Sequence, residues 1–138
     1  MKKYPALVLF CLFMFFSMKT YVSYSQNSTI ETDAPVLTIV EKMPIFPGGP
    51  EALYKYIANT VVYPTVAKDS SITGTVIVTF IVERDGSVTN VKILKGIGGG
   101  CDEEALRVVK AMPKWSPGKQ DGKPVRVQFN LPIRFSLE

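Results

Sequence analysis

The chain of 138 residues contains no histidine. That absence removes serine–histidine–aspartate and cysteine–histidine nucleophile pairs, zinc sites built on imidazole, and the usual proton shuttle near neutral pH. Cysteine is nearly as scarce. Cys11 and Cys101 cannot make a disulfide framework, and a lone Cys101 with no histidine to activate it packs as a small hydrophobe. Glycine does not recur at every third position, which excludes collagen, and a 46% hydrophobic composition is too rich for a disordered chain. The sequence offers no metal-ligand cluster, no cofactor motif, and no nucleophile beside a base. It therefore reads as a binding or structural protein rather than an enzyme, with one domain at this length.

What is present begins with an address. Lys2 and Lys3 precede an apolar run from Ala6 to Met18, and Ser23-Tyr24-Ser25 supplies small residues before a cut at Gln26. This is the pattern of a secretory signal peptide. Lys19 stops the run short of the roughly 20 apolar residues that a bilayer-spanning helix needs, so a short retained anchor is the alternative. Loss of Lys2, Lys3 and Lys19 takes the formal net charge from +4 to +1. No basic stripe interleaved with aromatics is left to hold nucleic acid. The chain thus divides into residues 1–25 (signal or anchor), a polar linker at 26–42, and a domain at 43–138. Within the linker, Val36 to Val40 is either an edge strand or an extended segment, fenced by Pro35 and Pro44.

Phe46-Pro47-Gly48-Gly49-Pro50 is a turn with a proline suited to a first helical turn. Ala52, Leu53, Tyr56 and Ile57 then recur at helical spacing and predict a helix from Pro50 to Asn59. Tyr63-Pro64 breaks it, and one further helical turn can follow at Val66 to Ser70. Gly74 to Glu83 is rich in β-branched residues and predicts a strand, paired through Asp85-Gly86 with a second strand from Ser87 to Lys95. Asp-Gly between extended runs predicts a primed turn with positive φ at both residues. Gly96 to Gly100 is a loop before a helix from Cys101 to Met112. Asp102, Glu103 and Glu104 would repel phosphate there and read as a solvated first turn.

The last strand is the plainest element. Val125, Val127, Phe129, Leu131, Ile133 and Phe135 alternate with Arg126, Gln128, Asn130, Pro132 and Arg134, so one face is buried and the other solvated. The order helix, hairpin, helix, strand predicts an α+β fold, a three-stranded antiparallel sheet in the order 2-1-3 with two helices on one face. The final strand is then an edge.

Several short motifs carry a resemblance. They are Phe46-Pro47-Gly48-Gly49, Tyr63-Pro64, Gly74-x-Val76 leading to Asp85-Gly86, and Asp102-Glu103-Glu104-Ala105-Leu106-Arg107, followed by Met112-Pro113-x-Trp115-x-Pro117-Gly118 and Pro132-Ile133-x-Phe135. In order and spacing from Phe46 to Phe135 they resemble the TonB C-terminal domain, in the form abundant in Bacteroidetes-type bacteria. The resemblance implies a periplasmic module that grips the TonB box of an outer-membrane receptor by pairing it with a sheet edge. In full energy transducers of this family that grip couples the proton-channel subunits of the inner membrane to import. The apolar segment here has no histidine and no long proline-rich rod follows it, so the alternative is a secreted interaction or scaffold protein not coupled to energy.

The partner-binding residues expected from the edge strand are Arg126, Gln128, Asn130 and Arg134, with side chains in solvent and backbone groups directed outward. Pro132 lacks an N–H and fixes that parity. Tyr63 and Pro64 join them through the resemblance, Tyr63 also having a packing role beneath its proline turn as an alternative.

Overall fold

The computed structural model describes residues 34–137, so the expected export segment at 1–25 lies outside the described residues. In chain order the elements are β1 (Val36–Leu37), α1 (Pro50–Thr60), α2 (Thr65–Asp69), β2 (Gly74–Val82), β3 (Val88–Lys95), α3 (Cys101–Lys110), β4 (Gly118–Gln120) and β5 (Lys123–Phe135). Both long helices begin where expected. Proline at the first position of α1 gives up an N–H that has no helical partner, and the three acids of α3 face the positive end of the helix dipole.

The sheet runs β1-β5-β2-β3, with β4 paired to β5 off this path. Its middle is the expected antiparallel trio, because β5 returns from α3 to lie beside β2 on the side away from β3. The whole is five-stranded and mixed, which corrects the expected three-stranded antiparallel sheet. Val36 and Leu37 pair in parallel with Arg126 and Val127, and Gly118 to Gln120 pair with Lys123 to Val125. Two residues of β1 and the Gly-Lys-Gln of β4 are too short and too polar to show a period of two. Residues 36–42, read above as the end of a linker, are held on the fold by β1 and by a bridge from Lys42 to Lys119.

Three helices cover one face of the sheet, where two were expected, the short α2 being the extra turn after Pro64. Leu53 of α1, Ala67 of α2, and Cys101, Ala105 and Val109 of α3 share one core with Val76, Val78, Phe80 and Val82 of β2 and Leu131, Ile133 and Phe135 of β5. Cys101 is fully buried and free, and burial pushes its thiol up from the ordinary range.

The β2–β3 hairpin corrects the expected turn. Gly86 alone has positive φ, at 86°, in a three-residue loop closed by Glu83 N–H to Ser87 O at 2.8 Å and Gly86 N–H to Glu83 O at 2.9 Å. Within the loop Asp85 Oδ1 accepts from Ser87 N–H at 2.9 Å, and Trp115 packs on it, its N–H donating to Gly86 O at 2.8 Å and its carbonyl oxygen lying 1.9 Å from where a Cβ on residue 86 would sit. The turn with two left-handed residues is instead Asp121-Gly122, φ 52° and 74°, between β4 and β5.

Two of the three acids of α3 are not simply solvated. Asp102 accepts hydrogen bonds from the N–H groups of Ile97 at 2.8 Å and Gly98 at 3.2 Å and so folds the glycine loop onto its own helix. Glu104 accepts from Val62 N–H at 2.8 Å and pairs with Arg107 at 2.6 Å, while Arg107 also donates to Thr60 O. These contacts join the end of α1 to α3, and the Arg107 guanidinium, with the Val62 N–H, holds the Glu104 carboxyl below the ordinary range. Glu103 remains exposed.

Candidate functional site

The outer edge of β5 follows from its sequence. From Val127 to Phe135 the strand pairs with β2 without a register shift, so its parity is unbroken. Pro132 has no N–H to give to Ile77, its partner on β2, so its backbone faces away from β2. Gln128, Asn130 and Arg134 share that orientation. β1 covers the edge at Arg126 and Val127, and among the described residues no strand pairs with it beyond that point. The Leu37 carbonyl takes the Gln128 N–H in that parallel pairing, so what is left is two outward N–H groups, of Asn130 and Arg134, and the outward carbonyls of Gln128, Asn130, Pro132 and Arg134. The side chains of Gln128, Asn130, Pro132 and Arg134 are exposed there.

Arg126 departs from expectation. It is 9% exposed, not solvated, and its guanidinium donates from Nε to Glu83 Oε2 at 2.7 Å and from Nη2 to Glu83 Oε1 at 3.1 Å. Nη1 donates to the carbonyl of Ala34 at 2.8 Å. Thr89 donates to the same Glu83 at 2.6 Å, and the Arg126 bond holds the Glu83 carboxyl below the usual carboxylate range. Arg126 therefore ties the N-terminal segment to the sheet. Its backbone edge is already occupied by β1.

Tyr63 and Pro64 sit near the other end of β5. The Tyr63 hydroxyl donates to the carbonyl of Ile72, and its ring meets Phe135 edge-on at 5.6 Å between centroids. The Lys68 ammonium lies 6.0 Å from that ring. Pro64 is the N-cap of α2, half-buried, with its ring beside Gly100. The structure thus groups Gln128, Asn130 and Arg134 on one edge, brings Tyr63 against the end of the same strand from the core side, and removes Arg126 to an internal ion pair.

A second feature was not anticipated. An apolar groove of about 300 Å³ lies beside the free edge, lined by Pro44, Ile45, Pro50, Tyr54, Trp115 and residues Phe129 to Pro132. Tyr54 and Ile45 are 68% and 42% exposed. Behind them Trp115 packs edge-on to Phe46 at 5.6 Å and to Phe80 at 5.5 Å, so the Phe-Pro-Gly-Gly and Trp-x-Pro-Gly motifs meet in one aromatic cluster. The indole N–H of Trp115 has no acceptor there. Tyr54 was the available signal, an aromatic outside the buried stripe of α1. Its position one residue past Leu53 hid it.

No group of three His, Cys, Asp or Glu side chains able to hold a metal occurs among the described residues. No helix among them is long and apolar enough to cross a membrane.

Comparison with known proteins gives a consistent family. Residues 59–137 match the family described as Gram-negative bacterial TonB protein C-terminal. Protein TonB of Vibrio cholerae is 35% identical over 77 residues, which are 55% of this chain and 31% of that protein, so the chain spans about a third of the relative's length. Two solution structures of the Helicobacter pylori TonB C-terminal domain share 27% identity at a TM-score of 0.48. Each covers 62% of this chain, and the matches cover 78% and 90% of the two domains. With more than half its length matched by the family, the chain belongs to the TonB C-terminal family of Gram-negative bacteria.

Proposed function

We propose that this domain works in the periplasm as a receptor-binding module, taking the TonB box of an outer-membrane TonB-dependent receptor as an added strand along β5 and supporting transport across the outer membrane. The carrying observation is the edge of β5 from Asn130 to Arg134, which pairs with no strand among the described residues and is seated on a sheet covered by helices on one face. An extended peptide gains main-chain hydrogen bonds at such an edge with little rearrangement of its host. Asn130 and Arg134 supply donors, Gln128 supplies a carbonyl, and Pro132 interrupts the donors near the end of the strand. Residues 1–25, as a signal or short anchor, export the domain, and inner-membrane proton-channel subunits are the partners expected of any energy coupling. Arg126 and Tyr63 support the edge from behind.

The test pairs two proline substitutions. Asn130→Pro places its missing N–H on the open side beyond β1, so the fold is kept at a loss of about 0.5–1.5 kcal/mol. A TonB-box peptide then loses one hydrogen bond and meets a proline ring, weakening binding by about tenfold or more. Val127→Pro breaks the ladder to Val82 and a buried contact, and unfolds the domain. Calorimetric titration and circular dichroism melts read both. An Asn130→Pro variant that binds like the parent, or that unfolds, removes the edge as the binding site.

A further inference from the structure

Main-chain pairing reads no sequence, since every extended peptide presents the same donors and acceptors. Selectivity at a sheet edge comes from pockets that take alternate side chains of the added strand. An added strand continues the pleat of β5. Its residue beside Leu131 therefore points its side chain to the helix side, as Leu131 does, while the residues before and after it point to the open face.

On that helix side, beside Leu131, lies the apolar groove between Ile45 and Tyr54. Its lining carries no charged side chain, and its volume admits a leucine or an aromatic ring. The exposed apolar surface of Ile45 and Tyr54 is what an interaction site leaves open in the absence of its occupant. The groove and the free edge share residues Phe129 to Pro132, so a strand on the edge passes directly over the groove.

We propose that the groove is a side-chain subsite for one large apolar residue of the incoming strand, leucine, isoleucine or phenylalanine, at the position beside Leu131, and that it fixes the register of the added peptide. This rests on strand addition at β5, and the experiment separates the two. Trp115 is the only tryptophan of the chain and lines the groove, so its emission reports occupancy. The full chain is titrated with the peptides Ac-Ser-Thr-Val-Thr-Xaa-Thr-Val-Ser-NH2, with Xaa alanine, leucine or phenylalanine.

The leucine and phenylalanine peptides bind about tenfold or more tightly than the alanine peptide, as burial of a large side chain requires. In the double variant Ile45→Ser, Tyr54→Ser the preference falls to about twofold. The variant keeps a cooperative melt, and its affinity for the alanine peptide changes less than its affinity for the leucine and phenylalanine peptides, since only the large side chains reach the groove. Equal affinity of the alanine and phenylalanine peptides for the parent overturns the subsite while leaving strand addition standing, provided Asn130→Pro weakens both. Binding of the phenylalanine peptide that is indifferent to Asn130→Pro overturns strand addition and the register argument together, as does failure of every peptide to bind. A parent that sediments as a dimer and becomes monomeric on Tyr54→Ser gives the groove to a second copy and overturns the assignment.

Discussion

Replacing Arg126 by methionine keeps the apolar stem of the side chain and removes its guanidinium and charge. Among the described residues, hydrogen bonds to Glu83 at 2.7 and 3.1 Å and to the Ala34 carbonyl at 2.8 Å go with it. The side chains of the pair are 10% and 22% exposed, so the solvent screening that reduces surface ion pairs to near zero is largely absent. Charge-assisted bonds contribute about 1.5–3 kcal/mol, and stranding one member of a fully buried pair costs about 3–5 kcal/mol. Glu83 retains Thr89 and some water, which places the expected loss at about 2–3 kcal/mol at pH 7. For a domain of this size that is a fall in melting temperature of about 10–20 °C.

The pH dependence has a fixed sign. The Glu83 carboxyl is held below its ordinary value of 4.5, so the pair stabilises the fold fully above that value and the contribution is lost as pH falls through the depressed one. The gap between parent and variant is therefore widest at neutral pH and narrows toward pH 3. Circular dichroism melts across that range, with Glu83→Gln closing a double-mutant cycle, measure it. Amide exchange at Val36 and Leu37 quickens in the variant because β1 has lost its tie. A fall in melting temperature under about 3 °C at pH 7, against the 10–20 °C expected, or a gap of constant size at all pH values, refutes the reasoning.

Three further outcomes are expected. Gly86→Val forces a β-branched residue to a φ of 86° and drives its Cβ into the Trp115 carbonyl, a loss of about 3 kcal/mol or more in urea melts, with quenched or shifted Trp115 emission. Tyr63→Phe leaves the Ile72 carbonyl without its donor and lowers stability by about 1–2 kcal/mol with peptide affinity unchanged, and loss of affinity at unchanged stability would instead make Tyr63 a partner contact. Cys101, fully buried with its thiol pushed up by burial and by Asp102 and Glu103, reacts with a disulfide reagent at pH 8 only at the rate of unfolding in a Cys11→Ser chain, so fast labelling there contradicts the packing of α3.

The sequence made legible whatever depended on local pattern. The alternation from Val125 to Phe135 needs no distant information, and it located β5, its buried face and its open edge parity. The glycine and proline signals around Pro50 and Cys101 located both long helices for the same reason. Arg126 was misplaced because alternation assigns a face and not a partner, and its partners Glu83 and Ala34 lie 43 and 92 residues away. The Asp85-Gly86 dipeptide signalled a turn correctly, but the contact of the Trp115 backbone with Gly86 is one that no local pattern encodes. The groove escaped for a related reason. It is assembled from the segment before α1, α1 itself, the Trp115 segment and β5, each unremarkable alone.

The parallel pairing of Val36 with Arg126 has a kinetic meaning. β5 is made after every other element, yet it sits inside the sheet between β1 and β2. The β2–β3 hairpin and the helices emerge first with one side of β2 unpaired, and none of them can complete the core until residues 123–135 have joined. Contacts spanning 92 residues carry a large loop-closure penalty before they return any stability. The chain should then fold late and in a single concerted step, in milliseconds to seconds rather than microseconds, and a ribosome-bound fragment ending before Lys123 should resist no protease. Such a chain stays threadable for as long as its synthesis is incomplete.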